Sequence, residues 1–315
     1  MMTPQEKYGL IVVFSLVVIV YVFAAGGLIR LLLEKFGAVK KEPKRSQIWF
    51  RRFFFALAVF GFGCLAYAYF IEPFWLSVRN VVITSPKLAK GSKPVRIVHI
   101  SDLHSDPKAR LEESLPSAIA EQKPDLIVFS GDSLNSPDGL PVFRKCLTEI
   151  ARVAPTFVVR GNWDSWYWKN QNLFGETGAK ELNGNAERIE INGNPIWLAG
   201  VFVESEEKIP EMLGQIPKNE FSVFLYHYPD LIENISREGI DLYCAGHTHG
   251  GQVALPFYGA IVTLSKFGKK YEGGTYKIDK TWLNVNRGIG MEGGNAPRIR
   301  FWARPEITVI DIVPE

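Results

Sequence analysis

Gly246-His247-Thr248-His249-Gly250-Gly251 is the stretch on which the reading of this chain turns. It sets two imidazoles one residue apart on a turn flanked by glycines, so that they can face two adjacent metal ions. Glycine lets the backbone come close to whatever sits there, and neutral imidazole is the commonest side-chain metal ligand. Histidine is scarce: only five occur, at 99, 104, 227, 247 and 249. Four of them fall in turn-like stretches at the ends of predicted strands. His99 lies within a strand and reads as core.

The preceding sequence repeats one arrangement. Val95 to Ile100 is β-rich and runs into Ser101-Asp102-Leu103-His104. Residues 125–129 read as a buried strand ending at Ser130-Gly131-Asp132, and residues 156–160 as a strand ending at Gly161-Asn162-Trp163-Asp164. Helical spacing is expected between them, over 111–122 and 142–153, although Pro116 weakens the first. Strands alternating with helices imply a parallel sheet with crossover connections. Open α/β sheets place their sites at the carboxyl ends of such strands. Beyond residue 185 the chain is richer in strands. One pair is joined by Asn192-Gly193-Asn194, one strand ends at His227, and residues 240–245 end at the opening motif. Glycines from 250 to 294 mark turns between short strands.

Collected, the strand ends supply Asp102, His104, Asp132, Asn162, His227, His247 and His249. Carboxylates, an amide oxygen and imidazoles suit Mn²⁺, Fe²⁺ or Zn²⁺. Seven ligands are too many for one tetrahedral zinc. They suit two divalent ions about 3.5–4 Å apart, a pair able to ready water for attack on phosphorus and to clamp phosphoryl oxygens.

Taken together, Ser-Asp-Leu-His at 101–104, Gly-Asp at 131–132, Gly-Asn-Trp-Asp at 161–164, His227 and Gly-His-Thr-His-Gly at 246–250 resemble the calcineurin-like metallophosphoesterases. The tail from Gly288 to Ile312 resembles the bacterial membrane-associated branch of that family. The resemblance spans roughly residues 70–312. It implies an α/β fold, a four-layer αββα sandwich, and a metal-dependent hydrolase of phosphoric esters or diphosphates. It also implies that Asp102, His104 and His249 hold one ion, that Asn162, His227 and His247 hold the other, and that Asp132 bridges. Asp132, Asn162 and Asp164 are thereby the expected catalytic residues, Asp164 as support for the ligands. Many family members carry a His directly after the motif Asn, acting on the leaving group. Here that position is Trp163, whose indole N–H cannot act as an acid. Trp163 is instead expected to bind substrate or to pack at the rim. Arg298, Arg300 and Arg304 are expected on the solvated surface.

The N-terminal quarter is different. Residues 9–29 and 53–71 carry no charge, and each run is long enough to cross a bilayer as a helix. Between them lie Arg30, Lys35, Lys40, Lys41, Lys44, Arg45, Arg51 and Arg52 against only Glu34 and Glu42. Basic loops stay in the cytoplasm. The expected organisation is a membrane hairpin over 1–71 with its basic loop at 30–52, a linker over 72–94, and a catalytic domain over 95–315. That domain is expected outside the cytoplasm, the cytoplasmic face being the alternative. The aromatic and basic residues Phe267, Lys269, Lys270 and Tyr271 suit either lipid headgroups or a solvated loop.

A net charge of +3 without a basic-aromatic stripe argues against a nucleic-acid partner. Cys64, Cys146 and Cys244 give neither a disulfide framework nor zinc spacing. The expected partners are a phosphorylated small-molecule or lipid substrate and the bilayer. Two other functions compete. One is a UDP-2,3-diacylglucosamine diphosphatase of lipid A synthesis, whose family branch also lacks the His beside the motif Asn but works on a cytoplasmic substrate. The other is a catalytically silent membrane scaffold, against which the complete ligand set speaks.

Overall fold

Short apolar runs closed by glycine, serine and asparagine become strands in the computed structural model, which describes residues 2–39, 43–294 and 296–315. Lys40, Lys41 and Glu42 of the basic loop lie outside the described residues. Two long helices come first, α1 (Pro4–Lys35) and α2 (Arg45–Phe70). Then follow β1 (Ser77–Ser85), β2 (Val95–Ile100), α3 (Leu115–Glu121), β3 (Leu126–Phe129), α4 (Leu140–Ala151), β4 (Thr156–Val158), α5 (Asn162–Tyr167) and β5 (Lys180–Glu181). The second half adds β6 (Asn185–Ile191), β7 (Asn194–Gly200), α6 (Ile209–Gly214), β8 (Phe221–Leu225), α7 (Ile232–Ile235) and β9 (Leu242–Ala245). The chain closes with β10 (Ala254–Leu255), β11 (Gly259–Ala260), β12 (Gly274–Ile278), β13 (Thr281–Val285) and β14 (Glu306–Pro314).

Two six-stranded sheets result, in the orders β1-β14-β2-β3-β4-β5 and β12-β13-β9-β8-β7-β6. Strands β2 to β5 are parallel, as the strand–helix alternation predicts. Strands β7, β8, β9 and β13 are parallel as well. The hairpin β6–β7 turns at Asn192-Gly193, both with positive φ, which suits Asn and Gly. The sheets face each other across one apolar core that includes Ile97, Val128, Phe157, Leu198, Val223 and Leu225. A second core packs α3 and α4 on the outside of the first sheet through Ile119, Phe143, Leu147 and Ile150. A third packs α6 and α7 on the outside of the second through Met212, Leu213, Ile232 and Ile235. This is the four-layer αββα sandwich. Cys146 and Cys244 are buried in it as free thiols.

Residues 72–94 differ from the expected linker. Ser77–Ser85 forms the edge strand β1, pairing in parallel with β14 along its whole length. Its side chains alternate between exposed and half-buried before the strand closes over Ile83. Its residues Val78-Arg79-Asn80-Val81-Val82 show no apolar–polar alternation to match that burial, and prolines and lysines follow it, so the sequence does not read as a strand. The predicted helix at 111–122 is shorter than expected because Pro116 can sit only in its first turn.

Both α1 and α2 are long and apolar enough to cross a membrane. They pack antiparallel. Gly61 lets the Tyr21 hydroxyl approach and donate to the Ala58 carbonyl at 3.3 Å. At the far end Arg51 pairs with Glu34 at 3.2 Å. The near end is fastened to the sandwich. The buried Glu6 carboxylate accepts from the Thr263 amide at 2.6 Å and its hydroxyl at 2.7 Å. After α2, buried Glu72 accepts from the amides of Trp302 at 2.9 Å and Ala303 at 2.6 Å.

Candidate metal centre

The sheet arithmetic brings five loops to one place, each leaving the carboxyl end of a central strand. β2 delivers Asp102 and His104, β3 Asp132, and β4 Asn162. From the facing sheet β8 delivers His227, and β9 delivers His247 and His249. Backbone bonds tie the loops together. The Asp102 amide donates to the Gly131 carbonyl at 2.8 Å, the His104 amide to Asp132 at 3.1 Å, and the Gly246 amide to His227 at 2.9 Å.

Asp102, His104, Asp132, His247 and His249 all take positive φ, between 41° and 71°. For residues other than glycine this conformation is costly, and it clusters at functional sites. Here it turns side chains out of the strand direction and into the cleft. Two glycines permit the crowding. A Cβ on Gly246 would collide with Ser101 Oγ and Asp102 Oδ2, and one on Gly161 with Asp132 Oδ1. Gly246 of the opening motif therefore does what the sequence suggests.

Six of the seven side chains are buried, and His247 is half-buried. Ligand atoms of Asp102, His104 and His249 lie within 4.8 Å of one another, as do those of Asp102, Asp132 and His227. Asp132 Oδ2 stands 3.4 Å from His104 Nε2 and 3.2 Å from His227 Nε2. His249 Nε2 is 3.2 Å from Asp102 Oδ1. The His247 amide donates to both Asp102 oxygens at 3.2 Å, and its ring centroid lies 5.2 Å from that of His227.

Whether these groups suit a metal can be read from what they lack. Both ring nitrogens of His104, Nε2 of His227 and Oδ1 of Asn162 are buried without a hydrogen-bond partner among the described residues. Unpaired buried polar atoms are uncommon and costly. Such atoms on three side chains beside two carboxylates form a donor set for divalent cations. His227 Nδ1 donates to the Ser130 carbonyl at 2.8 Å, which leaves Nε2 free for the cleft.

The electrostatics agree. Burial alone would raise both carboxyls, but His249 and His227 hold Asp102 low, and His227 and His104 hold Asp132 well below the ordinary carboxylate range. Burial opposes the charge on His227, yet Asp132 and Asp102 lift it to about 9. Two ionised carboxylates thus draw positive charge into a dry cleft, while burial lowers His247 and His249 toward the neutral imidazole that a metal needs.

Two residues around the cluster complete it. Asp164 is buried and accepts from the amides of Asp132 at 2.9 Å, Ser133 at 2.9 Å and Gly161 at 3.0 Å, so it shapes the loop that carries Asp132. Burial, then repulsion from Asp132, raises its carboxyl to about 6. Trp163 lies at the rim, its ring perpendicular to that of His104 with centroids 5.3 Å apart, and its Nε1–H donates to Glu292 at 3.3 Å.

Arg300 departs from the sequence expectation. It is fully buried, not solvated, and donates to the carbonyls of Arg287 at 2.9 Å, Gly288 at 3.2 Å and Ala303 at 2.7 Å, and also to Gly290. It braces the loop behind His249. Arg298 stays exposed and pairs with Asp106. Arg304 lies over the Trp75 ring at 4.1 Å. His99 is buried core, as expected, hydrogen-bonded to Ser130 Oγ at 2.9 Å and Asn284 at 2.6 Å.

Comparison with known proteins is consistent with this geometry. Residues 95–251 match the calcineurin-like phosphoesterase family. Over 265 residues the chain is 31% identical to the uncharacterized metallophosphoesterase YkuE of Bacillus subtilis, covering 79% of this chain and 90% of that protein. It is 30% identical over 270 residues to the phosphodiesterase YaeI of Escherichia coli, covering 80% and 93%. A metallophosphoesterase of Aquifex aeolicus is 27% identical over 258 residues, covering 77% and 94%. With its fold, its five motif loops and these relatives in agreement, the chain belongs to the calcineurin-like phosphoesterases, metal-dependent hydrolases of phosphoric esters.

Proposed function

We propose that this protein is a membrane-anchored, two-metal phosphoesterase that hydrolyses phosphodiester or diphosphate bonds in substrates presented at a bilayer surface. The observation that carries the reading is the set of unpaired His104, His227 and Asn162 atoms around the Asp102 and Asp132 carboxylates. In this reading Asp102, His104 and His249 hold one divalent ion, and Asn162, His227 and His247 hold the other. Asp132 lies between the two sets because its Oδ2 faces a histidine of each. Such ions, Mn²⁺, Fe²⁺ or Zn²⁺, supply activation of water and neutralisation of phosphoryl charge. Asp164 holds the Asp132 loop, and the Ser130 carbonyl holds the His227 ring. Trp163 contributes a flat face for substrate at the rim. Its N–H is already engaged by Glu292, so it offers a leaving group no proton. Leaving groups that are stable as anions are therefore favoured, such as a phosphate or an acidic alcohol.

The anchor is α1 with α2. Arg30, Lys35, Lys44, Arg45, Arg51 and Arg52 gather at the end of the hairpin away from Glu6 and Thr263. With basic loops cytoplasmic, this supports a hydrolase domain on the outer face. It also disfavours a cytoplasmic UDP-2,3-diacylglucosamine substrate.

The test is hydrolysis of bis(4-nitrophenyl) phosphate by the full chain with Mn²⁺. Asp132→Ala and His247→Ala are expected to lose at least about 100-fold, since removing a ligand removes the charge stabilisation on which the step rests. Equal rates in all three proteins would contradict the enzyme reading and favour a silent scaffold.

A further inference from the structure

A cavity of about 410 Å³ opens beside the metal-ligand cluster and runs to the first membrane-length helix. One end is lined by His247 and His249. The opposite wall is α1 itself, through Leu10, Val13, Phe14 and Val17. Their spacing of three, one and three residues puts all four on one helix face. Ile261 and Ile299 continue the apolar lining on the domain side. The helix is not merely nearby. The Glu6 bonds to Thr263 fix its start against the loop that forms the groove's floor. The result is a passage with the metal-ligand cluster among its lining and an apolar face of a membrane-length helix as one wall. A catalytic cleft for water-soluble esters has no need of such a wall, and a cavity of this size falls within the range of small-ligand sites.

We infer that the groove between α1 and the 261–264 loop holds a hydrocarbon chain of the substrate, so that the enzyme acts on a phosphodiester or diphosphate of a bilayer lipid drawn in along α1. This rests on the hydrolase reading above and names its substrate class. The lipid's phosphate lies at the cluster while its chain stays in an apolar surface continuous with the membrane. Water's oxygen bonds to phosphorus as the P–O bond to the leaving alcohol of a diester, or to the leaving phosphate of a diphosphate, breaks, and one water proton ends on that leaving group. The second wall comes from a residue pattern, 10-13-14-17, inside a segment whose sequence otherwise reads only as an anchor.

The experiment compares butyl phosphate with decyl phosphate. Dissociation constants are measured by calorimetry on the full chain with Mn²⁺ in phosphatidylcholine nanodiscs, with empty nanodiscs subtracted. Wild type should bind decyl phosphate at least roughly tenfold more tightly, because chain methylenes leave water. Val13→Trp and Val17→Trp, which fill the groove from two positions, should each reduce that ratio at least fivefold. Val12→Trp, on the opposite face of α1, should leave it intact. A wild-type ratio near one would overturn the proposal. So would a ratio shared by all four proteins, since that means the chain only dissolves in the bilayer around the helix. Hydrolysis of bis(4-nitrophenyl) phosphate on the same samples separates the two readings. Its absence contradicts the hydrolase alone, and unchanged binding ratios contradict the groove alone.

Discussion

Asp164 reaches none of the cluster's unpaired atoms, yet three backbone amides converge on it. An amide side chain has one acceptor oxygen where the carboxylate has two. Asp164→Asn should therefore loosen the Asp132 loop and cut kcat by about 10–100-fold, the usual cost of losing support behind metal ligands, while the melting temperature moves little. An unchanged kcat would deny Asp164 its positioning role. His99 makes a different prediction. Burial first, and then Arg79, lowers its imidazolium to about 3 from an ordinary 6.5. A depressed folded value means that its stabilisation is complete above about 6.5 and is lost as the pH falls toward 3. Wild type should therefore lose stability relative to His99→Gln by about 1.4 kcal/mol per pH unit across that window, read by urea unfolding in chelator. Parallel pH curves would show that His99 titrates normally. The seven cluster residues were legible in the sequence because each sits in a short motif closing a strand. Arg300 was not. Its neighbours alternate charged and apolar residues as a solvated edge does, and only the folded loop from Arg287 to Gly290 shows carbonyls waiting for a guanidinium.

Among the elements, α1 is the one whose role the sequence understates. Its apolar length was plain, but a lone Glu6 near its start carried no sign of a partner 257 residues away. Glu6→Ala would strip the acceptor from the Thr263 amide and hydroxyl, at about 1–3 kcal/mol for each buried group left unpaired. The expected readout is faster hydrogen exchange over residues 261–264 with the exchange of β8 and β9 unaltered. Unchanged exchange at 261–264 would mean that the helix is not docked through this contact. The parallel units β2 to β4 were legible because short β-rich stretches, continuously apolar in β3, are separated by helical spacing. Strand β1 escaped notice because Val78-Arg79-Asn80-Val81-Val82 has neither an alternating nor a continuous apolar pattern, and its partner β14 lies more than two hundred residues later. Pairings that distant leave no local signal.

Taken as one object, the molecule joins a cluster of ligands at the seam of two sheets to a hairpin of membrane length, with the Glu6 and Glu72 bonds as fasteners. The sandwich could be anticipated from motif order. The way the hairpin lies against it could not, because packing between an anchor and a domain depends on side chains with no periodic signature. What the account stands on is that Asp102, Asp132, Asn162 and the four cleft histidines hold two divalent ions at once. Elemental analysis of the full chain, loaded with Mn²⁺ and freed of loosely held metal, measures this. Two ions per wild-type chain are predicted, falling to one or fewer in Asp132→Asn together with loss of diester hydrolysis. A wild-type content of one ion or none, or an Asp132→Asn protein that keeps both ions and its activity, would contradict it.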